Sequence, residues 1–206
     1  MKFLYFDIIG RGEMTRLAFA AGGIEFEDAR ITFEQWPAIK STISRGQLPV
    51  LTLDCGMQLT ESIALLRYAG SIASPRLYPA DPLKAALVDE SVGVQSGIME
   101  ALVKTFMKPE EEAIKMMKAD LAPDGAVGKE LAFLEKCAAK AGSGYLVGDS
   151  LSIADCHFKP LADWLTSGVA NGAFSQALAP YPSLVKNVAV TSAVPGIAAY
   201  TAALKK

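Results

Sequence analysis

The sequence predicts a small α/β unit followed by an all-helical one. Three observations carry this. Residues 1–72 alternate short β-like runs with helical stretches. Residues 74–82 hold three prolines (Pro75, Pro79 and Pro82) and few periodic apolar positions, which marks a linker. Beyond them, apolar residues recur every three to four positions. With 206 residues and 51% hydrophobic composition, the chain can bury a core in each unit.

In chain order, residues 3–6 form a short apolar run that stops at Asp7, and a glycine-bearing turn follows. A helix begins near Glu13, with apolar positions at Met14, Leu17, Ala18 and Ala21, and stops at Gly22 and Gly23. Such a strand-to-helix junction is where open α/β sheets bind ligands, because backbone N–H groups and the helix dipole converge there. Tyr5 lies near the end of the strand and Arg11 at the helix entrance. A phenol and a guanidinium so placed suit an anionic, sulfur-bearing ligand, and equally suit packing and surface charge. Residues 25–31 alternate charged and apolar types as a second strand. Residues 34–44 make a short helix with Pro37 in its first turn. After Gln47-Leu48-Pro49, runs at 50–53 and 57–59 flank a turn at 54–56 and read as an antiparallel hairpin. A helix over 63–72 closes the unit. The order βαβαββα is the thioredoxin-like pattern, in which a proline opening the third strand is commonly cis. Leu48-Pro49 is therefore expected to be cis, a form that X-Pro bonds reach at little cost.

The second half opens on a long helix whose stripe runs through Leu83, Leu87, Val94, Ile98, Leu102 and Phe106, widened by Val88, Val92, Met99 and Val103. Gly93 and Gly97 interrupt it, which permits a close backbone neighbour or a bend. Further helices are expected over 110–120, from Pro123 to near Gly142, from Ser152, and in the tail 182–206, where Pro195-Gly196 separates two pieces. Ser152 and Asp155 have the spacing of an N-cap and its N3 partner.

Several function classes drop out. The net charge is −2, from 20 basic and 22 acidic residues without a Lys/Arg cluster, which argues against nucleic acid. The uncharged stretches 165–185 and 187–204 are broken by Gly, Pro, Asn, Ser or Thr, so a membrane span is not expected. The apolar start is too short for a signal peptide. Cys55, Cys137 and Cys156 are scattered, with neither a dithiol motif nor metal spacing, which suggests the reducing cytoplasm.

Tyr5-Phe6-Asp7, Gly10-Arg11-Gly12-Glu13 and Arg16 resemble the start of the tyrosine-type soluble glutathione transferases. Trp36-Pro37-Ala38-Ile39-Lys40-Ser41 resembles the second-helix motif of their sigma class, and Gly46-Gln47-Leu48-Pro49 the cis-proline loop. Glu61-Ser62 matches an acidic-or-amide plus serine pair, and residues 148–155 resemble a capping box with hydrophobic staple. The resemblance implies a thioredoxin-like, glutathione-binding domain over 1–74, a linker over 75–82 and an all-helical domain over 83–206. Two positions depart from the pattern. Gln95-Ser96-Gly97 stands where an acidic residue often reaches the glutathione of a second subunit, and Ser44-Arg45-Gly46 replaces an aromatic residue of the dimer interface.

What the resemblance implies is a cytoplasmic, homodimeric detoxification enzyme that conjugates glutathione, its co-substrate, to hydrophobic electrophiles. Glutathione-dependent isomerisation or peroxide reduction, as in prostaglandin synthases, is the alternative within the class. A non-catalytic, crystallin-like member of the fold is the alternative outside it. Tyr5 would donate a hydrogen bond to the thiolate, with Arg11 orienting Tyr5, lining the pocket or forming a surface ion pair. Glutathione would be held by Trp36, Lys40, Gln47, Leu48, Pro49, Glu61 and Ser62 in addition to Tyr5 and Arg11. Ile8, Ile9, Met99, Val103, Phe106 and Leu204 would line the electrophile pocket, and His157, the only histidine, would join them or serve as a structural residue. No metal site is expected.

Overall fold

The computed structural model describes residues 1–204, and at 168, 170 and 171 the backbone alone. They form two compact units: residues 1–78 with the C-terminal segment from Val194, and residues 79–193.

In the first unit, β1 (Lys2–Phe6) leads through a 3-10 turn at Gly10–Gly12 into α1 (Glu13–Ala21). β2 (Glu27–Ile31), α2 (Trp36–Ile39), the hairpin β3 (Val50–Thr52) and β4 (Gln58–Thr60), and α3 (Ser62–Ile72) follow. The sheet order is β2-β1-β3-β4, with β1 parallel to β2 and antiparallel to β3. This is the thioredoxin-like arrangement, and Leu48-Pro49 is cis, as is Ser74-Pro75. Strand alternation buries Phe3 and Tyr5 and leaves Lys2 in solvent. Phe3 meets Phe19 of α1 edge-on at 6.2 Å, while Leu51, Leu65 and Leu66 are fully buried in the same unit. The helix expected over 34–44 is shorter: α2 gives way to a 3-10 turn at Lys40–Thr42. With four residues, and none of them buried, α2 gains too little from tertiary packing to be held as a longer helix.

The helical unit begins with α4 (Pro82–Thr105), whose first turn carries Pro82 and whose N-cap, Asp81, accepts from the Lys84 N–H at 2.8 Å. α5 (Glu110–Asp120), α6 (Ala126–Ala141), α7 (Ile153–Asp163) and α8 (Pro182–Ser192) follow, with π and 3-10 turns over 164–172 that the sequence pattern did not predict. A side chain at Gly93 or Gly97 would meet nothing within 4 Å, so neither glycine admits a neighbouring backbone among the described residues. α7 is buried along its length except at Lys159 and Asp163, which pair with each other one turn apart.

α9 (Pro195–Ala203) packs on α1 and groups with the first unit, whereas the resemblance implies a helical domain running over 83–206. Residues 205 and 206 of that stretch lie outside the described residues. The reason is local: a Cβ at Gly196 would sit 2.0 Å from the Ala20 carbonyl oxygen, so only glycine lets the two helices approach this closely. Among the described residues, no helix is long and apolar enough to cross a membrane.

The capping box at Ser152 is present, and it does more than start a helix. The Ser152 hydroxyl accepts from the Ala154 N–H at 3.2 Å and donates to Asp155 at 3.0 Å. The Asp155 carboxylate also takes the Ser152 N–H (2.8 Å), the Leu146 N–H (2.8 Å) and the Asn187 amide (2.7 Å). One fully buried side chain thus ties the loop before α7, the start of α7 and the middle of α8. Ser152→Ala is expected to cost about 1 kcal/mol, the usual worth of a cap. Asp155→Ala leaves several buried donors unsatisfied and is expected to cost about 3 kcal/mol or more. Urea denaturation of the two variants measures the difference.

Candidate functional site

Seven of the nine residues expected to hold glutathione line one cavity in the first unit: Arg11, Trp36, Gln47, Leu48, Pro49, Glu61 and Ser62. Its volume is about 300 Å³, and Phe6 and Gly46 complete the lining. The cavity forms where the turn after β1, α2, the loop before β3 and the start of α3 converge. Its charged members are Arg11 and Glu61, so it offers one guanidinium and one carboxylate to a ligand. Two larger cavities, of about 350 and 530 Å³, lie in the helical unit and are mainly apolar. Size therefore does not pick out the chemistry, whereas the polar lining does.

Tyr5 and Lys40 are not lining residues. Tyr5 is 6% exposed, and its phenol oxygen accepts the Arg11 backbone N–H at 3.0 Å. The hydroxyl is thus one hydrogen bond from a residue of the cavity wall, with its own hydrogen available as a donor. Burial raises the phenol above its ordinary value, against the Arg11 N–H and the nearby guanidinium groups, so it stays protonated at neutral pH. Gly12 makes room for the ring: a Cβ there would lie 2.4 Å from the nearest Tyr5 ring carbon. Lys40 is exposed, with its stem alongside Gly46.

Two residues of the surroundings escaped the sequence expectations for the site. Phe6 stacks on Phe33 at 4.5 Å and meets Trp36 edge-on at 6.0 Å, so it orients the indole at the cavity wall. Alternation after Tyr5 was the signal that could have placed it. Arg16 is fully buried. Its Nε donates to Asp28 at 2.8 Å, and its Nη1 donates to Glu13 at 3.2 Å and to the Ile8 carbonyl at 3.3 Å. Its Nη2 donates to the Phe6 carbonyl at 3.4 Å, and the guanidinium lies over the Phe3 and Tyr5 rings at 5.5 and 5.8 Å. Asp28 in turn binds Arg30, which also holds Asp7 (2.9 Å) and the Tyr200 hydroxyl (2.8 Å) of α9. A single guanidinium thus braces the backbone that follows the site tyrosine.

The residues expected around the electrophile fall in both units. Ile8 is half-buried, and Ile9 and Leu204 are exposed in the first unit. In the second, Met99 is buried and Val103 half-buried, while Phe106 is exposed and meets Trp164 edge-on at 6.4 Å. His157 is 1% exposed and lines none of these cavities, and neither ring nitrogen has a partner among the described residues. Burial alone lowers its pKa to about 4, so it is a neutral core residue at neutral pH. No group of three or more His, Cys, Asp or Glu among the described residues could hold a metal ion.

Residues 1–71 match the family model of the glutathione S-transferase N-terminal domain, and residues 97–203 match that of the glutathione S-transferase C-terminal domain. The chain belongs to the glutathione S-transferase family. Glutathione is the co-substrate that this membership brings. Glutathione S-transferase 1 of Ascaris suum is 39% identical over 79% of each chain. A class-mu 28 kDa isozyme of Schistosoma mansoni is 32% identical over 95% of this chain and 97% of its own. Among solved structures, prostaglandin synthase D of Nilaparvata lugens superposes with a TM-score of 0.83 at 28% identity, covering 97% of this chain and 96% of its own.

Two expected outcomes follow from the buried groups. Arg16→Met strips Glu13 and Asp28 of a buried partner and is expected to cost about 3 kcal/mol or more in a urea titration. His157 has a folded pKa below its unfolded value, so the unfolded chain takes up the proton first on acidification. Its contribution to stability is therefore complete above about pH 6.5 and declines as the pH falls toward about 4, by about 2 kcal/mol at pH 5. His157→Gln is expected to flatten the pH dependence between pH 7 and 5 by that amount, measured as the difference between the two denaturation series.

Proposed function

We propose that the chain runs glutathione transfer at the cavity of the first unit, with Tyr5 as the donor that stabilises the thiolate. The observation that carries this is the hydrogen bond from the Arg11 N–H into the phenol oxygen, which orients the hydroxyl and leaves its hydrogen to the ligand. A free thiol of pKa about 8.5 is only about 3% thiolate at pH 7. Lowering that pKa by about two units needs about 2.7 kcal/mol, and one charge-assisted hydrogen bond of about 1.5–3 kcal/mol supplies most of it. Because burial keeps the Tyr5 phenol protonated, it acts as a donor and not as a base.

The other roles follow from the lining. The N–H groups at the start of α3 and the Ser62 hydroxyl suit the γ-glutamyl carboxylate, while Glu61 suits its ammonium. The Leu48 backbone, beside the cis bond, pairs with the cysteinyl backbone as an added strand would. Trp36 and Lys40 take the glycyl carboxylate. Arg11 joins the wall through its side chain and steadies Tyr5 through its backbone.

Trp36-Pro37-Ala38-Ile39-Lys40-Ser41 supports the sigma class. The structural likeness to a prostaglandin synthase supports a second reading, isomerisation of a prostaglandin-type endoperoxide by the same thiolate. Three unpaired cysteines support the cytoplasm as the compartment, and the exposed Leu83 and Leu87 of α4 support a homodimer.

The deciding experiment compares wild type with Tyr5→Phe, following the absorbance of bound glutathione thiolate and the conjugation of an aryl halide across pH. Tyr5→Phe is expected to raise the pKa of the bound thiol by about one to two units, with a matching loss of rate near neutral pH. Unchanged behaviour would move the role to Arg11 or to a backbone N–H. Tight glutathione binding by wild type without turnover would favour a binding protein.

A further inference from the structure

Arg45 stands where the sequence departs from its family pattern, and the structure gives it a partner. Its turn is well anchored. The Gly46 N–H donates to the Ile43 carbonyl at 2.9 Å, and Gly46 has a φ of +58°. The Gln58 side chain clamps the same turn from β4, accepting the Ser44 N–H at 2.8 Å and donating to the Thr42 carbonyl at 3.4 Å. From this fixed position Arg45 forms an ion pair with Glu61, the one carboxylate in the cavity lining. Glu61 itself has a φ of +70°, a conformation that non-glycine residues rarely adopt, and its side chain makes no cap to α3. Its carboxylate is thereby left to Arg45. The two side chains are 53% and 60% exposed, so the pair is weak and its partners exchange readily.

We propose that the Arg45–Glu61 pair reads the amino-acid head of the ligand by exchanging partners, a reading that rests on glutathione as the occupant of this cavity. The head required carries an ammonium and a carboxylate on one carbon. On binding, the ammonium replaces Arg45 at Glu61, and the released guanidinium turns to the carboxylate beside Ser62 and the start of α3. All four charges stay paired, which is the condition for a low-cost exchange. A ligand with the ammonium alone strands Arg45, and one with the carboxylate alone leaves Glu61 in competition for Arg45. Arg45 is thus a specificity-determining residue for the γ-glutamyl group.

The test is calorimetric titration of the full chain with three probes. These are glutathione, glutaryl-cysteinyl-glycine, which lacks the ammonium, and 4-aminobutyryl-cysteinyl-glycine, which lacks the carboxylate. Arg45→Met is expected to weaken glutathione and the glutaryl peptide about fivefold, while the aminobutyryl peptide stays within about twofold of wild type or binds more tightly. Glu61→Gln is expected to show the opposite preference, weakening glutathione and the aminobutyryl peptide. An unchanged melting temperature in Arg45→Met shows that the effect is on binding. If Arg45→Met weakens all three probes alike, or leaves glutathione and the glutaryl peptide unchanged, the partner exchange is wrong while the glutathione site stands. If wild type binds none of the three, the glutathione reading falls and this one with it.

Discussion

A guanidinium with no access to water is the constraint on which the first unit depends. Arg16 is paired with Glu13 and Asp28 and also donates to the carbonyls of Phe6 and Ile8. A buried cation is tolerated only when its donors are met, and here charges meet some of them and the backbone at and just beyond the end of β1 meets others. The same guanidinium lies over the Tyr5 ring. Through Asp28 and Arg30 the network reaches Tyr200, a second tie, beside the close approach at Gly196, between α9 and this unit. The site tyrosine is therefore held both by the β1–β2 ladder that carries it and by the guanidinium over its ring.

Around that anchor the cavity is assembled from short pieces. α2 is a single turn, the loop before β3 is held by Gln58, and α3 starts from a residue with positive φ. None of these would be stable alone, since a helix of four residues lacks the length for independent stability. Each is held by something adjacent. Phe6 braces Trp36, Gln58 braces the turn bearing Arg45, and Arg11 braces Tyr5. Binding chemistry thus rests on weak local structure held by a rigid sheet, a division of labour typical of sites carried on loops.

The helical unit follows a different logic. Its centre is α7, buried along most of its length, and its polar hub is Asp155. His157, two residues on, is the counterexample: it is equally buried but lacks those partners, and stays neutral as a result. Burial without hydrogen bonds disfavours the charged form, so a lone histidine here is packing and not chemistry.

Much of this was legible in the sequence. Local rules act over a few residues, so the βαβαββα order, the long α4 and the Ser152–Asp155 box could be read directly. The motif residues at 11, 36, 47–49, 61 and 62 also named most of the cavity wall. What the sequence could not show depends on distance in space. The Arg45–Glu61 pair joins residues 16 apart, and the Arg30–Tyr200 bond joins residues 170 apart. The placement of α9 turns on the absence of a side chain at Gly196 against a carbonyl of α1. Periodicity reports which face of an element is apolar but not which neighbour covers it, and charge carries no record of its partner. Elements and chemistry came from the sequence, whereas pairing, burial and the state of His157 were decided only by the tertiary structure.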